Sequence, residues 1–120
     1  MAKYVLAAVD DMFFASKIRA TAEQLGIEVR FAKSAAAAIE AALAELPALI
    51  IADLHSQRCE PFTLAEELKK DERLREVCLI GFFSHVQTEL QQKATQAGFD
   101  RVMPRSAFAK HLPEILGAKS

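Results

Sequence analysis

Asp10, Asp11 and Asp53 are the residues whose type and placement carry chemistry in this sequence. Asp10 and Asp11 stand side by side in the run AAVDDMFF, residues 7–14, where an apolar stretch that reads as a buried strand ends in two like charges. Asp53 closes a second apolar run, ALIIAD, residues 48–53. Adjacent carboxylates repel each other, so something must offset the cost. A hard divalent cation does so, and magnesium, which takes a few carboxylates and keeps several waters, suits such acids best. Two plainer roles compete with it: Asp11 as the cap of a following helix, and Asp53 as the first residue of a loop.

Other reactive side chains offer less. Ser84 and His85 are neighbours, but adjacent residues in an extended chain do not readily pair as nucleophile and base, and no glycine-flanked nucleophile turn surrounds them. His85 reads as the opening of a loop or helix, and His111 as a surface residue. Cys59 and Cys78 lie outside any C-x-x-C spacing, and Cys78 sits in an apolar run, so buried thiols are expected rather than a disulfide or a zinc site.

The elements that must position the acids follow from the hydrophobic pattern. KYVLAAV (3–9) reads as a first strand, IEVRFA (27–32) as a more polar edge strand, and ALIIAD (48–53) as a central one. CLIGFF (78–83) and DRVMP (100–104) supply the fourth and fifth. Between them lie stripes of helical period. Phe14, Ile18, Thr21/Ala22 and Leu25 run up to Gly26 as a stop; Ile39, Ala42, Leu43 and Leu46 follow a Ser34 cap and end before Pro47. Leu64, Ala65 and Leu68 stripe a helix over 62–70, with Pro61 suited to its first turn. Val86, Leu90, Ala94 and Ala97 run to Gly98; Phe108, Leu112, Ile115 and Leu116 make a last helix that Pro113 should kink or shorten.

Five βα units with right-handed crossovers predict a doubly wound parallel sheet of the flavodoxin-like kind, in the order 2-1-3-4-5. In such a sheet ligands lie at the carboxyl ends of the strands, where the strand order reverses between strands 1 and 3. That rule brings Asp10 and Asp11 beside Asp53. A length of 120 residues suits one domain over 1–120.

Composition narrows the function. The 15 basic and 16 acidic residues nearly cancel, so no broad field draws the chain to nucleic acid or to a membrane surface. No run is long and apolar enough to span a bilayer, and MAKYVLAAVDD reaches charge too early for a signal peptide, which makes the cytoplasm the expected compartment.

Over nearly its whole length the sequence resembles the receiver domain of bacterial two-component response regulators, the CheY-like family. VLAAVDDMFFASKIRATAEQLG resembles the family's first strand, acidic pair and first helix, and ALIIADLHS the strand with the phosphoacceptor Asp. LAEELKKDERLREVCLI and ATQAGFDRV resemble the third helix with its strand and the approach to strand 5. The resemblance implies that Asp10 and Asp11 hold Mg2+, that Asp53 accepts the phosphoryl group, and that the His55 backbone carbonyl completes the metal site.

The departures from the family pattern are as informative. At the end of strand 4 the family has Thr or Ser, whose hydroxyl contacts the phosphoryl group; Phe83 stands there, and Ser84 substitutes only if the strand bulges. Arg105, in MPRS, matches the family's Lys after strand 5. Its planar fork is suited to locking Asp53 in a bidentate pair or to binding a phosphoryl group. Val102 matches the aromatic residue whose rotation reports phosphorylation, and Ser56 and Gln57 match a usual Met-Pro pair.

These features read as a non-enzymatic, receiver-like signalling protein of a phosphorelay, of the pseudo-receiver kind, acting through protein binding. The expected partner is a histidine kinase or a downstream regulator, with a homodimer also open to it. The expected contact surface is helix 4, strand 5 and helix 5, including parts of 87–96, Arg101 and 108–110. The alternative is a conventional regulator phosphorylated on Asp53 with Mg2+. A flavodoxin-like nucleotide binder lacks its Gly- or Ser-rich anion cradle in DDMFF, and a small phosphohydrolase would want a D-x-D pair and a lid.

Overall fold

The computed structural model describes residues 4–84 and 88–117. Lys3, His85, Val86 and Gln87, named above, lie outside the described residues.

Five parallel strands, β1 (Val5–Ala8), β2 (Val29–Phe31), β3 (Leu49–Asp53), β4 (Cys78–Phe83) and β5 (Arg101–Pro104), form one sheet in the order β2-β1-β3-β4-β5. Among the described residues six helices connect and follow them: α1 (Met12–Leu25), α2 (Ala35–Ala44), α3 (Pro61–Lys70), α4 (Thr88–Ala97), α5 (Arg105–Lys110) and α6 (Leu112–Gly117). The expected topology is the observed one. The two outer flanks of β1 and β2 stop short of their expected ends, yet they still bond across the gap, Val5 N–H to Glu28 O and Ala32 N–H to Ala7 O, each at 3.0 Å.

The two-residue period of the strands sorts the core into two layers. Val5, Ala7 and Val9 pack with Ile51, Ile80, Phe82 and the buried faces of α1, α5 and α6. Tyr4, Leu6 and Ala8 pack with Ile50, Ala52, Phe83 and the faces of α2, α3 and α4. Phe82 and Phe83, adjacent in β4, therefore belong to opposite layers.

The α2 stripe differs from the expected one. Ala35, Ala38 and Ala42 are buried, Ile39 is half-buried, and Leu43 and Leu46 are exposed. Small side chains let the helix lie close to β1, and the Tyr4 hydroxyl then reaches its last turn, donating to Ala41 O at 3.0 Å and Glu45 O at 2.7 Å. Those carbonyls are among the orphans any helix end must satisfy. Leu25 is likewise exposed, at the point where Gly26 turns the chain out of α1 with φ +69. The last helix divides at His111, and Pro113, which has no N–H to give, lies in the first turn of the second piece.

The strand pairing sets the crevice. Ala8 lies beside Ala52, Asp53 beside Phe82, and Phe83 beside Pro104, so the ends of β1, β3, β4 and β5 come out along one edge of the sheet.

Candidate functional site

Asp11 follows β1 and begins α1 in extended conformation, and its two carboxylate oxygens are both used. Oδ1 accepts the N–H groups of Phe13 at 2.9 Å and Phe14 at 3.2 Å, which caps the helix. Oδ2 accepts from Arg105 Nη2 at 2.6 Å. The capping role left open by the sequence is thus the observed one, and Asp11 gains an ion-pair partner that its own neighbourhood in the chain did not announce. The Phe14 N–H above all holds the Asp11 carboxyl below its ordinary range; burial opposes it, and Arg105 and the Phe13 N–H add to the lowering.

Asp53 ends β3 and is 6% exposed. Its Oδ1 accepts the His55 N–H at 2.9 Å, and its carbonyl accepts the Ser56 N–H at 3.1 Å, so the acid closes the tight turn that leaves the strand. Burial pushes its carboxyl up. The His55 N–H and the charges of Arg105 and His55 pull the other way, while the negative charge of Asp10 adds to the rise. Asp10 is half-buried, and its carboxylate has no hydrogen bond or ion pair within the described residues. The His55 side chain is exposed.

Arg105 opens α5 and does not lock Asp53 in a bidentate pair; its partner is Asp11, through one nitrogen. The reason lies beneath it. Phe14, Phe82 and Phe108 form an aromatic floor, with centroids 4.7 Å apart for Phe14 and Phe82 and 4.8 Å for Phe82 and Phe108. The guanidinium carbon lies 4.8 Å from the Phe14 centroid and 5.9 Å from that of Phe82. Stacking on these rings draws the arginine toward the start of α1 and away from β3. Its Nε is buried without a hydrogen-bond partner.

The remaining switch positions are placed as follows. Phe83 is fully buried, in the layer of α2, α3 and α4, and Ser84 is exposed beyond the strand end. Val102 is half-buried and packs against that same layer. Ser56 is buried and accepts the Cys59 N–H at 3.1 Å, while Gln57 is exposed. Cys59 is buried as expected; Cys78 is only partly so, and both are free.

Magnesium can be judged against this geometry. Among the described residues no three His, Cys, Asp or Glu side chains are grouped to hold a metal ion. Asp11 is committed to its helix and to Arg105, which leaves Asp10 as the carboxylate without a hydrogen-bond partner among the described residues. A hollow of about 700 Å³ opens beside the pair, lined by Asp11, Phe13, Phe14, Ser16, Lys17 and Arg105. Met12 and Phe13 stand at its rim, 81% and 91% exposed. No helix among the described residues is long and apolar enough to cross a membrane.

The aromatic floor and the Arg105–Asp11 pair were the parts of the site that sequence reading missed. Phe14 and Phe108 stood in helix stripes and Phe82 in a strand, so each looked like ordinary core.

No family model matches the chain, and no curated protein matches it. Solved structures do. A response regulator from Hahella chejuensis is 19% identical over 96% of this chain and 92% of its own, with a TM-score of 0.86. The chemotaxis protein CheY4 of Vibrio cholerae is 17% identical over 97% of each chain, with a TM-score of 0.85. The receiver domain of sensor histidine kinase PA1611 from Pseudomonas aeruginosa is 19% identical over 97% of this chain and 95% of its own, at 0.84, and has a magnesium ion coordinated in its active site cleft. The likeness is one of fold: this chain has the CheY-like receiver fold.

Proposed function

We propose that this chain, built on the CheY-like receiver fold, is an atypical receiver of the pseudo-receiver kind: a signalling module that acts by binding a protein partner and is not switched by phosphorylation of Asp53. The observation that carries this reading is the position of Phe83. It is fully buried in an apolar layer, and the residue after it, Ser84, is exposed past the strand end. No hydroxyl at the end of β4 is therefore ready to hold a phosphoryl oxygen. Asp53 itself is nearly covered and already accepts a backbone N–H. A modification shifts a conformational equilibrium only through contacts that differ between the two states, and here those contacts are few.

Partner binding has a surface to use. Thr88, Gln91, Gln92, Thr95 and Gln96 line a shallow polar hollow on α4, and Arg101, His111, Glu114 and Ile115 line another beside β5. The first hollow and Arg101 belong to the expected contact surface, whereas His111, Glu114 and Ile115 lie past its last expected residue, Lys110, toward and on α6. A histidine kinase or a downstream regulator in the cytoplasm is the partner class, and the module does no catalysis of its own.

The conventional reading keeps one supporting observation, the receiver domain of PA1611 with magnesium in its cleft. Incubation with a small acyl phosphate and magnesium, read by intact mass, separates the two. The pseudo-receiver reading expects no phosphoryl adduct and equal partner binding by the natural chain and Asp53→Asn. An adduct on Asp53 together with partner binding that needs that residue would establish the conventional role.

A further inference from the structure

We infer that the guanidinium of Arg105 is a tethered cation that takes the place of a divalent metal ion against Asp11, so that the crevice is charge-balanced and held in one arrangement without metal. The inference deepens the reading of the same crevice. Its test uses neither a partner nor a phosphoryl group, so its failure and the failure of that reading can be told apart.

Three features carry it. First, both oxygens of Asp11 already have partners: one caps α1 and the other lies 2.6 Å from Arg105 Nη2. A divalent ion placed on that second oxygen would meet a guanidinium already there, and like charges at such a distance disfavour each other strongly. Magnesium also demands near-octahedral geometry and gives up its waters reluctantly, so it has little with which to displace a bonded arginine.

Second, the arginine is held by more than the ion pair. It lies over Phe14 and Phe82, whose ring faces attract a cation and suit a weakly hydrated guanidinium better than an ammonium. The buried Nε without a partner opposes this placement, since an unmet donor costs free energy. The ring contacts and the ion pair together outweigh that cost, which ties the arginine to this one position.

Third, the tether joins distant parts of the chain. Asp11 begins α1 and Arg105 begins α5, 94 positions later. The pair bridges the first and last strand-to-helix turns over the aromatic floor. That is where a bound cation would otherwise have to draw these elements together, and α5 adjoins the proposed contact surface.

The test is a magnesium titration followed by amide NMR signals of Asp10, Asp11 and residues 53–55, on the natural chain, Arg105→Met and Arg105→Ala. Methionine keeps the bulk and the contact with the rings while removing the charge, so that variant should stay folded even if alanine does not. In the natural chain those signals should not move at millimolar magnesium. In Arg105→Met they should move, with affinity at least about tenfold higher, the scale on which an adjacent charge shifts a charged equilibrium. A second readout is the signal of the Arg105 Nη–H that donates to Asp11. It should exchange slowly with water in the natural chain and at least about tenfold faster in Asp11→Asn, which keeps the helix cap but loses the paired charge. Magnesium binding by the natural chain as tight as by the folded Arg105→Met variant, or no gain in that variant, would overturn the inference. So would an Arg105 Nη–H that stays as protected in Asp11→Asn as in the natural chain.

Discussion

Arg105 and Asp11 are separated by 94 positions in the chain and by 2.6 Å between Nη2 and Oδ2. The contact fixes what each is available for. Asp11 cannot offer both oxygens to a metal, and Arg105 does not reach over Asp53 as a bidentate clamp. What remains at Asp53 is a nearly covered carboxylate in a tight turn, with Arg105 acting on it only through its charge.

Asp11 should matter to stability mainly as a cap. Asp11→Ala removes both the cap and the ion pair and is expected to cost about 1–2 kcal/mol. Asp11→Asn keeps a capping oxygen and loses only a pair whose side chains are 38% and 34% exposed, so its cost should stay under about 1 kcal/mol. Urea unfolding of the two variants measures the difference, and equal costs would contradict the capping account.

The two acids should respond to pH in opposite ways. The folded carboxyl of Asp11 is held below its unfolded value, so its contribution is full above about pH 4 and is lost as pH falls through the folded value. That of Asp53 is raised, so the fold is favoured by its protonated form and loses that contribution as pH rises from the unfolded toward the folded value. Above that range the charge on Asp53 is therefore a burden on the fold. Asp53→Asn, which can still accept the His55 N–H, should gain stability relative to the natural chain on going from acid to neutral pH. The gain should vanish below the ordinary carboxylate range, about pH 4, and urea midpoints at the two pH values decide it.

Phe83 and Phe13 should behave as opposites. Phe83→Thr places a hydroxyl in a fully buried apolar layer and leaves a cavity, at an expected cost of about 3 kcal/mol or more. Phe13→Ser acts on a side chain that is 91% exposed and should change stability by no more than about 0.5 kcal/mol. Thermal unfolding of both tests the placement of β4 and α1 together.

Gly81 in β4 has no room for a side chain. A Cβ there would lie 2.9 Å from two carbons of the Phe99 ring and 3.0 Å from Leu54 Cδ2. Gly81→Ala is therefore expected to cost about 1–3 kcal/mol, because the ring and the leucine are themselves confined in the core. A neutral result in urea unfolding would mean that Phe99 yields freely.

The fold was legible because its signals are local and repeated. Strand runs such as ALIIAD and CLIGFF, helix stripes such as Phe14, Ile18 and Ala22, and the stops at Gly26 and Gly98 all agree with the structure. The α2 stripe was legible only in part: Ala42 and Ile39 face inward as expected, but Leu43 and Leu46 are exposed, because close packing against β1 selects the small Ala35 and Ala38 instead. At the site, the strand-order rule brings the three acids to one edge, but it says nothing of which oxygen each spends where. The Arg105–Asp11 pair depends on three aromatic rings drawn from α1, β4 and α5, and no local pattern carries that juxtaposition.

The central claim is that Asp53 is not the switch of this module, and the most direct test is an NMR comparison of the natural chain and Asp53→Asn, with and without beryllium fluoride and magnesium. The account predicts little change at Thr88–Ala97, Arg101–Pro104 and Arg105–Lys110 on adding the phosphoryl mimic, and the same small response in both proteins. Large shifts across those three segments in the natural chain, absent from Asp53→Asn, would contradict it.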